Sequence, residues 1–297
     1  MSTDGNRTSR ALLRSADVIE IEAGEHRSWQ QLRDAYTVEK ELADRLRVAG
    51  REERAAMYAS VYDEWCRRVP RNPMLARKAA PAERERHVRK QMMFIGRFLR
   101  DGLTFLEIGP GDCALAFAVA KVARRVYGVD VSGELTGGSA RPPNFELAIA
   151  QGNDIPLPPG SVDVAYSNQL MEHLHPDDAE EQVRSVYRSL ARGGVYMCLT
   201  PNRITGPHDI SKYFDEVATG FHLKEYTNAE LSRLLKAAGF RSVRKYVGAA
   251  GVFVRFPLAL AVGCERLVER LPRRLRRRVG LSLPLRPVLD IRMIAQK

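Results

Sequence analysis

Thiols are scarce in this chain. The four cysteines, Cys66, Cys113, Cys198 and Cys264, lie far apart and form no C-x-x-C pair. That spacing argues against a disulfide-stapled scaffold and reads as reduced thiols in a cytoplasmic protein. The polar amino terminus has no leader-like apolar core. The apolar run from Val252 to Val262 is broken by Arg255 and Pro257 and falls short of the roughly 20 residues a membrane-spanning helix needs. Acidic residues are also in deficit, 36 against 47 basic ones, for a formal net charge of +11. Such an excess points to an anionic partner or surface. Its uneven spread along the chain keeps it from meaning nucleic acid by itself. What is present suits a packed fold: 44% hydrophobic residues over 297 positions are enough for one large domain, or a domain with an appendage.

The informative stretch is Thr104 to Ser132, which reads as strand, glycine turn, helix and strand. Thr104 to Ile108 is an apolar run broken only by Glu107. Gly109, Pro110 and Gly111 form a tight turn, and Asp112 can cap the helix that follows. Leu115, Val119 and Val122 recur at helical spacing. Val126 to Val131 is the second strand, with Asp130 at its carboxyl end. Glycines at this place let a ligand approach backbone N–H groups at a helix N-terminus, and an acidic residue about twenty positions on can hold both hydroxyls of a ribose. The run Gly109 to Ala114 also satisfies G-x-G-x-x-A, the dinucleotide pattern. Two residues argue against a dinucleotide: Glu107 puts a carboxylate on the first strand, and Asp112 puts negative charge where a pyrophosphate would sit. A ligand with a cationic amino group and no phosphate fits better.

The sequence E-I-G-P-G-D followed by G-V-D resembles the first two motifs of class I S-adenosylmethionine-dependent methyltransferases. The resemblance implies an α/β, Rossmann-like fold: seven strands, mostly parallel, with helices on both faces and a helical N-terminal extension. It also implies S-adenosyl-L-methionine as cofactor. Gly109 and Gly111 would then pass under its methionine part, and Glu107 would help bind its amino group. Asp130 would take the ribose hydroxyls, Val131 would pack on the adenine, and Asp154 with the Ile155 amide would meet the adenine edge. Ser167 and Asn168, ending the fourth strand, would face the cofactor's middle. A sulfonium methyl is already a strong electrophile, so alignment carries most of the rate. A hydroxyl or amine acceptor also needs a base. His173 and His222, then His208, are the candidates, because they fall in loops after strands four and five. Together with His175 they form no tight ligand motif, and no metal is expected.

Along the chain, residues 1–33 read as a flexible terminus, 34–100 as a helical cap, and 101–297 as the methyltransferase domain. In the cap, Tyr58, Val61, Tyr62 and Trp65 share one helix face, which reads first as packing, although the resemblance also implies an N-terminal helix lying across the open cofactor cleft. Gly133 to Asn144 leaves little room for a full crossover helix. Pro176 with Asp177 and Asp178 marks a helix start, and Thr227 with Glu230 a capping box. The sixth strand is expected at Phe240 to Val247 and the seventh at Asp290 to Ala295, the latter placed antiparallel between the fifth and sixth by resemblance. An insert at about 248–288 opens apolar and continues with arginines from Arg266 to Arg286. It reads either as a helical flap or as a docking surface for anionic lipid.

The expected acceptor is a small molecule, a glycan or a lipid-linked compound. Nucleic acid is disfavoured, since Ser167-Asn-Gln-Leu stands where an N-P-P-Y-type tetrad would follow strand four. The alternative from another class is a non-catalytic cofactor-binding module docking on a membrane or partner protein. The expected location is cytoplasmic, with peripheral membrane contact through the insert.

Overall fold

The computed structural model describes residues 25, 27–69, 81–131, 141–150, 152–249 and 251–297. The stretch Gly133 to Ala140 of the expected irregular crossover lies outside them. The sheet has strands β1 (Thr104–Ile108), β2 (Arg125–Asp130), β3 (Phe145–Ile149), β4 (Val162–Asn168), β5 (Leu190–Thr200), β6 (Ser242–Ala249), β7 (Val252–Phe256) and β8 (Ile291–Gln296). Their order is β3-β2-β1-β4-β5-β8-β6-β7. Neighbours from β3 to β5 pair in parallel, and β8 enters antiparallel between β5 and β6, as the resemblance implied.

The sheet has eight strands where seven were expected. The additional strand is β7, which folds back antiparallel on β6. It is built from the apolar opening of the insert. Val252 and Val254 alternate outward at the open edge, while Phe253 turns inward against Phe94, with ring centroids 4.9 Å apart. Read as a continuous apolar run, this segment hid its period of two.

Each face of the sheet is covered. On one side pack α1 (Trp29–Val48), α2 (Arg51–Arg68), α5 (Pro176–Ser189) and α6 (Asn228–Ala237); on the other, α3 (Pro81–Ile95) and α4 (Ala114–Val119). Local chemistry explains the boundaries. Ser28 and Gln31 form a capping box on α1, as Thr227 and Glu230 do on α6. Pro176 occupies the first turn of α5 with Asp177 and Asp178 beside it, and the His175 side chain accepts from the Asp177 amide. In the insert, α7 (Leu258–Glu269), α8 (Arg273–Gly280) and α9 (Arg286–Leu289) follow β7. The buried Glu265 carboxylate of α7 accepts from Asn202 Nδ2 and from the Asn228 amide, each at 2.6 Å. That contact pins the insert to the loop after β5 and to the start of α6.

The N-terminal helices are fixed to the sheet layer by a buried ion pair. Arg54 of α2 reaches Asp178 of α5 through Nε and Nη2, at 2.6 and 2.8 Å, and Tyr58 Oη donates to the same carboxylate at 2.7 Å. Removing one partner of a buried pair leaves the other charge uncompensated. Arg54→Met should therefore cost about 3–5 kcal/mol in urea unfolding, and Arg54→Met/Asp178→Leu should recover much of that loss. A single-variant cost below about 1 kcal/mol would show that the pair is not holding α2 in place.

Candidate active site

Parallel register brings the ends of β1 and β2 together. Ile108 lies opposite Val129, and the Gly109 amide donates to the Val129 carbonyl at 2.9 Å. Gly109 and Gly111 have φ of +66° and +53°, a left-handed region that an L side chain rarely enters. The turn therefore stays bare. Beyond it opens a cavity of about 390 Å³ at the carboxyl ends of the strands, where open α/β sheets bind ligands.

Of the residues singled out from the sequence, Gly109, Gly111, Asp130, Val131, Asp154, Ile155 and His173 line this cavity. Asp130 Oδ1 accepts from the Val131 amide at 2.8 Å. Asp154 is already engaged: Oδ1 accepts from Arg188 Nη2 at 2.6 Å and from Ser185 Oγ, and Ser185 Oγ in turn accepts from the Ile155 amide at 2.8 Å. That amide is spent within the protein. Glu107, Ser167, Asn168, His208 and His222 are not in the lining. Ser167 is fully buried and its hydroxyl pairs with Tyr196 Oη at 2.7 Å.

Glu107 lies behind the glycine turn, beneath the first turn of α4. Its carboxylate is buried, takes a hydrogen bond from the Ala116 backbone, and has one oxygen, Oε2, with no protein partner. Burial pushes its pKa up to about 8, and the nearby Asp112 and Asp130 add to the rise. Asp112 accepts from the Ala114 amide at 3.0 Å, although the residue that caps α4 is Cys113. Asp112 is also paired with Arg84 of α3, at 2.6 Å. The charge that argued against a pyrophosphate thus has a partner from outside the motif.

The cavity's outer wall was not foreseen as site residues. Tyr58, Ala59, Tyr62, Asp63 and Cys66 of α2 close it, while Val61 and Trp65 of the same stripe point into the core. The available signal was that one aromatic stripe carries more hydroxyls than a core needs. Tyr62 stands 4.9 Å from Phe221 and 6.2 Å from His173 by ring centroids.

Behind His173 lies a knot of buried polar groups. His173 and His222 meet edge to face, 5.0 Å apart. Burial lowers the His173 pKa to about 3, and the neighbouring His222 adds to the drop. Burial alone would also lower His222, but its bond to Glu225 and the charge of Glu172 outweigh this and raise it. His208 bonds to Thr205 Oγ1 at 2.9 Å, and burial lowers its pKa. His222 and Glu225 line a second cavity of about 330 Å³, bordered by Arg203, Lys224 and Arg276. The two histidines thus form a partition: His173 faces the first cavity and His222 the second.

A carboxyl whose pKa is raised by folding binds more protons in the folded state than in the unfolded one. Stability then falls as pH rises between the two pKa values. For Glu107 the window runs from about 4.5 to about 8, with a slope of at most about 1.4 kcal/mol per pH unit. Glu39, raised by burial and by Asp209 to about 7, acts in the same direction. The ligand-free protein should lose stability from pH 5 to 8 in urea unfolding, and Glu107→Gln should flatten that fall. A profile identical in the variant would place the sensitivity elsewhere.

A family model described as "Methyltransferase domain" matches residues 106–198, which run from β1 to β5 and carry most of the first cavity. Over 141 residues the chain is 40% identical to a "Probable S-adenosylmethionine-dependent methyltransferase" of Mycolicibacterium smegmatis, covering 47% of this chain and 52% of that one. Over 139 residues it is 38% identical to a protein of the same description from Mycobacterium tuberculosis, covering 46% of this chain and 48% of that one. The chain thus spans about half the length of these relatives. Among solved structures, phosphoethanolamine N-methyltransferase 1 of Haemonchus contortus superposes with a TM-score of 0.54 at 13% identity, covering 84% of this chain and 50% of that one. That likeness speaks for the fold alone. From β1 to β5 the chain thus matches a methyltransferase domain model, and it is similar to proteins described as probable S-adenosylmethionine-dependent methyltransferases.

Proposed function

We propose that this protein transfers a methyl group from S-adenosylmethionine to a small-molecule, glycan or lipid-linked acceptor. The observation that carries the reading is the make-up of the first cavity. A bare glycine turn, Asp130 and a helical lid surround one space at the strand ends. In this reading Asp130 holds the ribose hydroxyls. Glu107 answers the cofactor's ammonium through its unpartnered oxygen, directly or through water. Asp154 stands at the adenine edge, and Ser167 supports the floor from within the core. Asn168, ending β4, sets the start of the loop that carries His173. The protein's share of the chemistry is to exclude water, fix the sulfonium methyl and bring the acceptor in line with it.

Calorimetry tests the cofactor. S-adenosylmethionine should bind, and Asp130→Ala should weaken it by about 100-fold, the loss of two charge-assisted hydrogen bonds at about 1.5 kcal/mol or more each. Binding of the ammonium form should also ionise Glu107, releasing protons near pH 7 in a way that Glu107→Gln abolishes. Tight NADH binding with no response to S-adenosylmethionine would sink the assignment.

A histidine supports the transfer step. Single-turnover transfer from labelled cofactor into fractionated cell extract finds the acceptor. With that acceptor, replacing His173, His208 or His222 by alanine should lower the rate by about 10²–10⁴-fold for at least one of them, the usual worth of a positioned acid or base. Three unchanged rates would mean catalysis by alignment alone.

The insert supports a lipid-linked acceptor and the peripheral membrane reading, and it is equally what a non-catalytic docking module would use. No helix among the described residues is long and apolar enough to cross a membrane. Exposed Val252, Val254, Leu260, Leu267, Leu275 and Leu283 all lie in this segment, beside the arginines of α8. Phe253, Phe256 and Leu258, the more apolar part of the run, are partly covered. A basic residue near an anionic bilayer contributes about 1 kcal/mol. Sedimentation with vesicles should rise with anionic lipid and fall with salt. It should also drop about 10-fold or more when the exposed Arg266, Arg270 and Arg278 become glutamine, which spares Arg273 on the Asp215 carbonyl. Equal, negligible sedimentation with neutral and anionic vesicles at low salt would refute membrane docking. Formation of S-adenosylhomocysteine with any acceptor separates the enzyme from the module.

A further inference from the structure

The partition between the two cavities has an arrangement that neither cofactor binding nor a simple base requires. Glu172 and His173 end the short turn Met171–His173 that follows β4, and His222 lies in the loop between β5 and α6. One candidate ligand atom from each of these three residues lies within 4.8 Å of the other two. We propose that Glu172, His173 and His222 bind a divalent first-row transition-metal ion between the two cavities.

The hydrogen bonds around the three side chains carry the argument. His173 Nδ1 lies 3.1 Å from the Phe221 carbonyl, which can only accept, so Nδ1 carries the proton. His222 Nδ1 lies 2.7 Å from Glu225 Oε1, and the same carboxylate oxygen accepts the His208 amide at 2.7 Å. Each neutral ring then keeps its lone pair on Nε2. Metal-ligating histidines are held in this way, with the other ring nitrogen donating to a backbone carbonyl or a carboxylate. Glu172 is oriented likewise: Thr200 Oγ1 donates to Oε2 at 2.8 Å. Its other oxygen, Oε1, is buried and has no partner, although the residue is fully enclosed. A buried carboxylate oxygen left bare is costly, and an ion would satisfy it.

Composition selects the class of ion. Two imidazoles and one carboxylate suit zinc, manganese or iron(II) better than calcium or magnesium, which prefer sets made of oxygen. Bonds of about 2.0–2.2 Å would hold the three ligand atoms closer to one another than 4.8 Å. Asp209, which accepts the His222 amide, adds negative charge beside His222. Three protein ligands leave coordination positions open. The ion would stand between His173, on the first cavity, and His222, on the second. On the methyl-transfer reading, an acceptor oxygen entering from the second cavity could occupy an open position. That extension rests on the proposed function; the metal site itself does not.

The test needs no methyl acceptor. The full chain, stripped of metal with a chelator, is titrated with Co²⁺ and followed by its d–d absorption, then with Zn²⁺ in competition. Bound zinc is counted by elemental analysis. One equivalent should bind, and heating should unfold the loaded protein at a higher temperature. Glu172→Gln, His173→Gln and His222→Gln should each weaken Co²⁺ at least 100-fold. Thr200→Val, which only frees Glu172 to turn, should weaken it about 10- to 100-fold. Cys264→Ser, at a thiol that lines neither cavity, should leave Co²⁺ binding unchanged. Folding of each variant is checked by circular dichroism, and the wild-type stoichiometry stands without any of them. The proposal is overturned if folded, metal-free wild-type protein takes up no ion at one equivalent. It is also overturned if folded Glu172→Gln and His222→Gln bind as tightly as wild type. S-adenosylmethionine binding, measured by calorimetry on the same stripped sample, separates a failed metal site from a failed methyltransferase reading.

Discussion

The ion pair between Arg54 and Asp178 decides whether the first cavity is a cavity at all. The carboxyl ends of β1 to β3 make an open floor, and every residue of the outer wall comes from α2. Val61 and Trp65 of that helix pack into the core, and its polar contacts fix its place. It is held by Arg54 Nε and Nη2 on Asp178, by Arg54 Nη1 on the Ala49 carbonyl at 2.7 Å, and by Tyr58 on the same Asp178 carboxylate. Tyr58 Oη also accepts the His175 amide at 3.0 Å. One hydroxyl therefore fixes both the lid and the start of α5, two residues from His173. Buried pairs add little net stability compared with a hydrophobic substitute. What this one adds is position: Asp178 can be satisfied only when α2 lies across the strand ends.

Around that lid the chain collects carboxyl groups that ordinary folding would avoid. Glu39, Glu107 and Glu172 are all buried, and desolvation raises the pKa of each. Glu107 and Glu172 each keep an oxygen without a protein partner. Sites where local rules fail without a compensating contact are where function is expected. The two orphaned oxygens lie on different sides of the first cavity, one behind the glycine turn and one behind His173. They ask for two different cations, an organic ammonium at the first and an ion held by nitrogen and oxygen at the second.

The parts of the fold that were legible in the sequence are the local ones. The turn at Gly109 and Gly111, Asp130 at the end of β2, the start of α5 at Pro176 and the capping box at Thr227 each depend on residues within a few positions. The place of β8 between β5 and β6 came from resemblance, because nothing in Ile291 to Gln296 names its neighbours. What stayed hidden depends on distance in the chain. Arg54 and Asp178 are 124 positions apart, so periodicity marks α2 as a helix, and only the resemblance offers a helix lying across the cleft. His222 lies 49 positions beyond His173, and spacing alone gave no reason to join it to Glu172. Ser167 ends a strand, and that position alone suggests a side chain facing the cofactor. Its partner Tyr196 comes from the next strand, and alternation turned the hydroxyl into the core.

The second cavity gives the insert a meaning that its charge alone does not. Glu265 ties α7 to Asn202 and Asn228, and α8 then places Arg276 at the border of the space that His222 and Glu225 line. Gly280, at the end of α8, lies against Thr205 and Leu289, where an added Cβ would come within 2.7 and 3.1 Å of their side chains. The basic helix is therefore seated closely on the loop that carries His208. An acceptor drawn to the arginines would arrive beside His222, while the cofactor would occupy the space beside His173. The two reactants would then approach the histidine partition from opposite sides. In-line transfer would further require the acceptor to pass that partition and reach the methyl on the side away from the leaving sulfur.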